Sequence, residues 1–348
     1  MKNPVKNLFA LLCTGLLLMS CKSTRTDLDT GKSSTENTFQ IAFGSCNKTE
    51  VENPFWDDVL ALQPDLWIWG GDNIYADTDD MQKMRAMYRD QKSIPAYQAL
   101  VKQVPVIGTW DDHDYGLNDG GAEFAARAES QQAFLDFLEV PEDSPRREQD
   151  GIYAAHSYVR PGGKVKVLVL DTRYFRTPLR EDPTGEKRYI PNEYGEGTVL
   201  GEAQWAWLER ELTESDADFN VLVSSIQLLS GQHGFETWGN FPHEVERLIR
   251  IIGSSGAKGV FVLSGDRHIS EFSRQQSGSL PYDRVDFTSS GLTHAYRSFK
   301  GEPNPYRIGG VVARESFGVV LLDFQKNEAT FQIRADGNVI LQEIAQKY

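Results

Sequence analysis

The chain has 348 residues, with 36 Lys and Arg against 50 Asp and Glu, and 40% of its residues are apolar. This balance is typical of a soluble globular protein and excludes collagen, a coiled coil and a disordered chain. The formal net charge of −14 argues against general binding to nucleic acid or to an anionic membrane surface. Three cysteines cannot form a disulfide scaffold, so each needs another role.

Residues 1–20 have the pattern of an export signal. Two lysines precede an apolar stretch, residues 8–19, that is too short to span a bilayer. The segment that ends at Cys21 resembles a bacterial lipobox, which predicts a lipoprotein signal peptide and a lipid anchor on Cys21; an ordinary secretory signal and a signal anchor are the alternatives. Residues 21–37 are polar and typical of a flexible tether. We therefore expect an exported bacterial lipoprotein, in the periplasm or at the outer membrane or cell surface.

Residues 38–348 are predicted to form one mixed α/β domain, because strands and helices alternate and no second linker interrupts them. Short apolar runs predict buried strands, and apolar residues at helical spacing predict helices. The predicted strands are 39–44, 66–69, 104–108, 152–159, 164–170, 219–223 and 259–263. The predicted helices are 53–62, 79–101 with an interruption at Pro95, 122–138, 201–213 and 242–252. Two hairpins are predicted after residue 316, and the charged segment 173–199 is typical of a lid-like loop.

Chemically reactive side chains follow four of the predicted strands. The motifs are Phe43-Gly44-Ser45-Cys46-Asn47, Gly70-Gly71-Asp72-Asn73-Ile74-Tyr75, Trp110-Asp111-Asp112-His113-Asp114-Tyr115-Gly116 and Leu263-Ser264-Gly265-Asp266-Arg267-His268. Open α/β sheets bind ligands at the carboxyl ends of their strands, where loops from separate strands converge. A Gly-Asp turn is common by itself. Four such segments that supply thiol, carboxylate, phenol and imidazole groups predict one shared site.

The donor types predict a site with more than one metal ion. Carboxylate and imidazole suit Zn, Mn, Fe or Ca, whereas thiolate and phenolate favour a Lewis-acidic ion such as ferric iron. Asp72 lies between the other groups and is suited to bridging two ions. Two ions about 3.5–4 Å apart can hold a phosphate ester, generate hydroxide near neutral pH and stabilise the attacking and leaving oxygens. They would also reverse the negative field of the acidic loops.

The combined spacing Gly-Asp-x-x-Tyr, Trp-Asp-Asp-His-Asp and Ser-Gly-Asp-x-His resembles the alkaline phosphatase D (PhoD-like) family of the calcineurin-like metallophosphoesterases. Two further segments, Leu170–Arg173 and Ser224–Gln227, are similar to other landmarks of that family. The resemblance implies a four-layer αββα sandwich, in which two mixed β-sheets are flanked by helices and a metal cluster lies at their shared edge. It also implies an enzyme that hydrolyses phosphate esters with metal-bound hydroxide as the nucleophile.

The resemblance also assigns roles to individual residues. The implied metal ligands are Cys46, Asp72, Tyr75, Asp112, Asp266 and His268. They would hold a dinuclear or larger site, with Fe(III) and Ca as the implied ions and Zn or Mn as alternatives. His113, beside Asp112, is implied to bond the phosphate or to protonate the leaving oxygen.

Other polar residues near the predicted strand ends are candidates for contacts with substrate or metal. Arg173 and Arg176 follow a strand and can each clamp a phosphate through two hydrogen bonds, although we favour a salt bridge for Arg173. The remaining candidates are Asn73, Gln227, His233 and His294. Support of its loop is the favoured role of Asn73, and His233 is an alternative source of an imidazole ligand if Gln227 only lines the site.

Two alternatives to a phosphomonoesterase remain open. One is a phosphodiesterase or phospholipase C-type enzyme, because an open site on a membrane-tethered protein can face lipid or teichoic-type substrates. The other is a surface lipoprotein that keeps the fold and binds without catalysis. In each case we expect a monomer that binds no nucleic-acid scaffold and contacts the membrane only through its lipid anchor.

Overall fold

The computed structural model describes residues 36–348, which form two large β-sheets with helices on their outer faces. The predicted signal peptide, the predicted lipid anchor Cys21 and most of the predicted tether therefore lie outside the described residues. Within the described part, no helix is long and apolar enough to cross a membrane.

Fifteen strands and seven α-helices follow one another along residues 36–348. The strands are β1 (Thr38–Gly44), β2 (Leu66–Gly70), β3 (Val106–Thr109), β4 (Ala154–Arg160), β5 (Gly163–Val169), β6 (Arg180–Glu181), β7 (Tyr189–Ile190), β8 (Phe219–Val223), β9 (Val260–Ser264), β10 (Ser270–Gln275), β11 (Arg284–Ser289), β12 (Arg307–Val312), β13 (Phe317–Asp323), β14 (Glu328–Ala335) and β15 (Val339–Lys347). The helices are α1 (Trp56–Leu62), α2 (Met81–Ser93), α3 (Pro95–Val101), α4 (Asp112–Tyr115), α5 (Arg127–Phe137), α6 (Gly201–Thr213) and α7 (Pro242–Ser254).

The first sheet has six strands in the order β15-β14-β13-β1-β2-β3. Strands β1, β2 and β3 are parallel, so their carboxyl ends lie at the same edge of the sheet. The C-terminal strands β13, β14 and β15 extend the sheet as antiparallel neighbours, in agreement with the predicted hairpins.

The second sheet has seven strands in the order β12-β10-β11-β9-β8-β5-β4. Its central strands β5, β8, β9 and β11 are parallel, and their carboxyl ends also share one edge. Strands β4, β10 and β12 run antiparallel to their neighbours. Both sheets are therefore mixed, as predicted.

An aromatic core joins the two sheets. The ring of Phe43 on β1 meets that of Phe287 on β11 edge-on, with centroids 4.8 Å apart. Similarly, Phe331 on β14 meets Phe261 on β9 at 5.1 Å. All four side chains are buried, and the burial of each one stabilises the packed sheets by about 1.5–3 kcal/mol.

Helices cover the outer faces of both sheets. On the first sheet, Trp56 of α1 and Tyr97 of α3 pack against Trp69 of β2. On the second sheet, Trp205 of α6 belongs to a buried apolar cluster with Leu222 of β8. The result is a four-layer αββα sandwich, so the predicted fold class is confirmed.

The differences from the predicted elements have local causes. The predicted interruption at Pro95 is confirmed: residues 79–101 contain two helices, because Ile94 is extended before Pro95 and α3 begins at that proline. Strands β10, β11 and β12 have no clear sequence pattern. In β10 and β11, buried polar residues such as Ser270, Glu271 and Asp286 interrupt the alternation of apolar and polar positions that would indicate a strand. In β12, two exposed glycines do so.

Candidate active site

The carboxyl ends of the parallel strands from both sheets meet at one edge of the sandwich. The backbone N–H of Cys46, after β1, donates to the carbonyl of Gly71, after β2, at 3.3 Å. The N–H of Gly265, after β9, donates to the carbonyl of Ser225, after β8, at 2.9 Å. The Sγ of Cys46 lies 3.5 Å from the carbonyl oxygen of Asp266, which links the two sheets. The predicted strand-end motifs are thus brought together.

The backbone turns sharply at the residues that supply reactive side chains. Cys46, Asp72, Asp266 and His268 have φ values of 60°, 52°, 68° and 53°. A left-handed conformation costs a non-glycine residue on the order of 1 kcal/mol, and such positions cluster at functional sites. Here these turns direct four side chains from two sheets toward one volume.

Gly71 allows the loops after β2 and β3 to approach each other. Its φ is +102°, and a Cβ at this position would lie 2.7 Å from the Cβ of Asp111 and 3.1 Å from that of Ser225. Glycine is therefore required both by the backbone conformation and by the space. The close approach places Asp72, the next residue, beside the segment 111–113.

The first group of candidate metal ligands contains Cys46, Asp72 and His268, whose donor atoms all lie within 4.8 Å of one another. The Sγ of Cys46 is 3.4 Å from Oδ2 of Asp72. Tyr75 adds its phenol oxygen, 3.2 Å from the same carboxylate oxygen and 3.1 Å from Nε2 of His268. Thiol, phenol, carboxylate and imidazole groups therefore surround one point, and this donor set suits a Lewis-acidic transition metal.

Two more groups of candidate ligands adjoin the first. Asp72 also belongs to a group with Asp112 and His113, and Asp112 belongs to a third group with Asp111 and Asp266. Asp72 and Asp112 thus each join two neighbouring groups, as bridging carboxylates do. The Oδ2 of Asp111 is buried with no hydrogen-bond partner among the described residues. This oxygen is free to bind a cation, and together with the three adjoining groups it fits a site for two or more metal ions.

Burial and mutual repulsion set the pKa values in this cluster. Burial raises the pKa of Cys46 to about 11. Burial also raises the pKa of Asp266 to about 7, with Arg267 opposing the shift and Asp112 adding to it. The pKa of Asp72 is raised by burial and then by the nearby Cys46 and Asp112 charges. Bound cations would offset these costs and hold the thiolate and carboxylates in their ionised forms.

His113 lies on α4 directly after Asp112, and Asp77 holds its imidazole. Nδ1 of His113 lies 2.8 Å from Oδ1 of Asp77, and the backbone N–H of His113 donates to Asp72 at 3.3 Å. Burial lowers the pKa of His113, but the hydrogen bond to Asp77 and the charge of Asp112 outweigh burial and raise the pKa to about 9. Without bound cations this pKa favours the imidazolium form at neutral pH, and an imidazolium can donate a proton from Nε2.

A buried ion-pair network supports the loop after β3. Arg173 pairs with Asp111 and, at 2.5 Å, with Glu236. The Nε of Arg176 lies 2.9 Å from the other oxygen of Glu236. All four side chains are buried. The predicted salt bridge of Arg173 is confirmed, and it fixes Asp111 beside the candidate metal ligands.

Arg176 is not brought into the open site, so the structure does not support its predicted role as a phosphate clamp. Its side chain is 0% exposed. Its remaining N–H groups donate to the carbonyl oxygens of Thr177, at 2.8 Å, and Asp119. A guanidinium whose donors are bonded to protein in this way cannot bind a substrate phosphate as well. Arg176 instead positions Glu236.

Asn73 and His294 lie beside the cluster in different ways. The Nδ2 of Asn73 donates to Asp114 at 2.6 Å and to the carbonyl of Thr109 at 3.0 Å, which is the loop-supporting role favoured from the sequence. The ring of His294 lies edge-on to that of His268, with centroids 4.4 Å apart, and 5.0 Å from that of Tyr75. His294 is therefore within reach of a ligand bound at the first group.

His233 is outside the three groups of candidate ligands, and Gln227 is bonded to protein side chains. The amide of Gln227 donates to Glu271 at 2.9 Å and to Thr288 at 2.8 Å. The Nδ1 of His233 accepts from the backbone N–H of Phe235 at 3.1 Å. The structure therefore does not bring His233 in as an extra imidazole ligand; Asp111 completes the third group instead.

An open cleft of about 460 Å³ gives access to these groups. It is lined by Asp112, His113, Asn118, Asp119, Arg188, Phe235, Glu236, Asp266, Arg267, His268, Ala295 and Tyr296. A groove of about 500 Å³ against α2 and α5 lies elsewhere and is lined mainly by basic and apolar side chains. Only the first of these two cavities contains candidate metal ligands.

The PhoD-like phosphatase family model matches residues 41–304, which is most of the chain. The chain belongs to the PhoD-like phosphatase family. Alkaline phosphatase D of Bacillus subtilis (strain 168) is 28% identical over 214 residues, and the match covers 55% of this PhoD-like chain and 35% of that protein. The match thus spans about a third of the length of the curated relative.

Solved structures show the same fold. The structure titled "Structure of PhoD" has a TM-score of 0.72 at 19% identity and covers 89% of this PhoD-like chain and 69% of the other. A dimetal phosphatase from Danio rerio has a TM-score of 0.55 at 14% identity, covering 89% and 99% of the two chains. GAP50, described as the anchor in the inner membrane complex of Plasmodium, has a TM-score of 0.59 at 12% identity, covering 88% of each chain. At these identities the similarity concerns the fold alone.

Three residues that support the site in this PhoD-like chain have no recognisable sequence signal. Asp77 holds His113, Glu236 balances the buried arginines, and the hydroxyl of Ser290 lies 3.0 Å from the Sγ of Cys46. Asp77 is one of several acids in a short polar stretch, and nothing in that stretch distinguishes it. Only the folded chain shows which acid faces the imidazole.

Proposed function

We propose that this PhoD-like chain is a metal-dependent phosphoesterase that hydrolyses phosphate monoesters. The observation that carries the proposal is the chain of three adjoining ligand groups, joined by Asp72 and Asp112, at the base of an open cleft beside His113. Membership of the PhoD-like phosphatase family supports the same reaction class. The fold alone does not support a phosphoesterase, because one protein of similar fold is described as an anchor.

The candidate ligands fit a group of hard and borderline metal ions. When bound, such ions supply Lewis acidity, which activates water near neutral pH and offsets the negative charge of the phosphate. The residues that would hold them are Cys46, Asp72, Tyr75, Asp111, Asp112, Asp266 and His268. We propose Fe(III) for the thiol and phenol side and Ca for the carboxylate side, with Zn or Mn as alternatives.

His113 is proposed to protonate the oxygen of the departing alcohol. Asp77 fixes the orientation of the ring and favours the protonated form, which is the form that a general acid needs. The carboxylate of Asp112 accepts from the backbone N–H groups of His113 at 3.0 Å and Asp119 at 2.7 Å, so Asp112 is held next to the imidazole. Proton transfer by a positioned side chain typically contributes about 10²–10⁴-fold to the rate.

The test is turnover of p-nitrophenyl phosphate beside bis-p-nitrophenyl phosphate, with protein reconstituted with Fe and Ca, Zn or Mn. We expect the monoester to be preferred, Asp72→Asn to abolish turnover, and His113→Ala to lower it. Asp90→Asn, an exposed acid on α2, is the matched control and should keep it. A large preference for the bis-ester would favour the phosphodiesterase or phospholipase C-type alternative. If none of the esters were hydrolysed, the alternative of a lipoprotein that binds without catalysis would be favoured.

We further propose that the protein is exported and held at the membrane through a lipid on Cys21. The support is the lipobox-like sequence after the apolar stretch of residues 8–19. Growth of producing cells with a labelled fatty acid tests the proposal. Wild-type protein and Cys46→Ser should carry the label, whereas Cys21→Ala should not. Label on Cys21→Ala would contradict the proposed anchor.

A further inference from the structure

A small hairpin in the connection between β5 and α6 contributes Arg188 to the lining of the active-site cleft. Its strands β6 and β7 pair with each other, and Asp182 closes the turn between them. The Asp182 carboxylate accepts from the backbone N–H groups of Thr184 and Lys187 at 2.9 Å each. The predicted lid-like loop therefore has ordered structure of its own, which presents Arg188 to the cleft.

The hairpin is bound to the loop on the neighbouring side of the cleft. The backbone N–H groups of Arg188 and Tyr189 both donate to the carbonyl of Gly234, at 3.1 Å and 2.9 Å. The Tyr189 hydroxyl donates to Asp119 at 2.7 Å. The residue after Gly234 is Phe235, whose ring also lines the cleft. These bonds tie the hairpin to the loop that carries Phe235, so that Arg188 and Phe235 both line the cleft.

Arg188 is more exposed to solvent than Arg267, the other arginine that lines the cleft. It pairs with Asp119 and lies over the ring of Tyr189, with the guanidinium 5.3 Å from the ring centroid, yet its side chain is 52% exposed. Arg267 is only 9% exposed and pairs with Glu302 at 2.8 Å. Arg188 therefore keeps donor groups open to the cleft, and a guanidinium can bind an anion through two parallel hydrogen bonds.

The charges around the cleft indicate which part of a substrate Arg188 meets. The phosphate that reacts belongs beside the candidate metal ligands Asp112 and Asp266, at the base of the cleft. Among the described residues that line the rim, Glu236 is paired with buried arginines and Arg267 with Glu302. Arg188 also pairs with Asp119, but at 52% exposed it is the most exposed cation among the described residues that line this cleft, and it lies outside the ligand groups. With the reacting phosphate at the ligand groups, the alcohol part of an ester is the part that remains to meet Arg188.

We propose that Arg188 binds a negatively charged group on the alcohol part of the substrate, so that the preferred substrates are phosphate esters of alcohols that are themselves anionic. This inference rests on the proposed phosphoesterase function and narrows its substrate class. Phe235 and Tyr296, which are 36% and 39% exposed at the same cleft, provide apolar walls for the body of that alcohol.

Two aryl esters of the same shape test the proposal. 4-Carboxyphenyl phosphate and 4-carbamoylphenyl phosphate differ by one negative charge on the leaving group. With metal-reconstituted wild-type protein, we expect kcat/KM to be about 2–5-fold higher for the carboxylate ester, as is reasonable for one half-exposed charge pair. In Arg188→Gln this ratio should fall to about 1, in Arg188→Glu below 1, and Arg188→Lys should keep part of the preference.

Arg180→Gln is the matched control, because Arg180 lies on the same hairpin but pairs with Glu193 at 2.5 Å and does not line the cleft. It should keep the wild-type ratio. If Arg188 acted only by supporting Asp119, its loss would lower both rates alike and leave the ratio unchanged, which would overturn the inference. Equal efficiency of wild type on both esters would overturn this inference alone. If wild-type protein hydrolysed neither ester, the proposed phosphoesterase function would be overturned together with this inference.

Discussion

The phenol oxygen of Tyr75 lies 3.1 Å from Nε2 of His268, although 193 positions separate the two residues in sequence. Tyr75 follows β2 of the first sheet and His268 follows β9 of the second, so their contact spans the sandwich. The candidate metal centre can therefore form only when the sheets have packed. Anything that binds this centre in the folded state must in turn stabilise the packing of the two sheets.

Removal of the Asp72 carboxylate should weaken metal binding at more than one group of candidate ligands. Asp72 belongs to two of the three groups, so Asp72→Asn is expected to lower the metal content by at least one ion and to lower Tm. Elemental analysis of protein purified without chelator, together with thermal unfolding, measures both effects. Asp90→Asn should match wild type in each. Full metal content in Asp72→Asn would contradict the assignment of Asp72 as a bridging ligand.

The identity of the ion near Tyr75 has a spectroscopic signature. Ferric iron bound by a tyrosinate absorbs visible light, so we expect coloured protein that loses its colour in Tyr75→Phe. Tyr194→Phe is the control, because Tyr194 is 68% exposed and far from the ligand groups in its contacts. Colourless wild-type protein that contains Zn or Mn by elemental analysis would rule out the proposed iron.

The role of His113 can be separated from metal binding by the choice of leaving group. A general acid matters most for poor leaving groups, so His113→Ala should reduce kcat on an alkyl phosphate by about 10²–10⁴-fold and reduce it less on p-nitrophenyl phosphate. Asp77→Asn should show the same pattern with a smaller loss, about 10–100-fold, because Asp77 only orients the ring. Equal losses on both esters would indicate a binding role for His113.

The buried network around Arg173 should contribute strongly to stability. In Arg173→Met, the carboxylates of Asp111 and Glu236 lose a buried partner, and a loss of about 3–5 kcal/mol in the free energy of unfolding is expected. Arg297→Met, at an ion pair whose arginine is 69% exposed, should cost about 0–1 kcal/mol. Urea unfolding of the two variants beside wild type measures the difference. Similar values for both would show that the network is not a structural requirement.

His156 should make the fold sensitive to acid. Burial, assisted by the charge of Arg146, lowers the pKa of His156 to about 3 in the folded protein, below its ordinary value of about 6.5. Between these two pH values the unfolded chain therefore binds one more proton than the folded protein. The free energy of unfolding is then unaffected by His156 above pH about 6.5 and falls as the pH is lowered toward 3. The slope from this group is at most about 1.4 kcal/mol per pH unit. His156→Phe should flatten the curve of unfolding free energy against pH; an unchanged slope would contradict the assignment.

The positions of most strands and helices along the chain, and of the reactive motifs, could be predicted because both depend on residues that are close in sequence. A buried strand such as β8 is a run of apolar residues, and α6 shows its apolar face at helical spacing; the predicted bounds of both agree with the structure. The four reactive motifs could be located because each follows a predicted strand, and the family resemblance of those motifs implied the six metal ligands. Strands β10 and β11 could not be predicted, since their buried positions include polar residues that are satisfied only by distant partners. Strand β12 could not be predicted because two exposed glycines, Gly309 and Gly310, interrupt its apolar residues.

The chain by itself therefore determined the fold class and the segments that supply thiol, phenol, carboxylate and imidazole groups. Only the tertiary structure decided which polar groups face one another across the two sheets. It buried Arg176 against Glu236, selected Asp77 as the partner of His113, and presented Arg188 at the rim of the cleft. The physical reason is that apolar periodicity can be recognised within a few consecutive residues. The pairing of buried charges instead depends on packing between segments far apart in sequence.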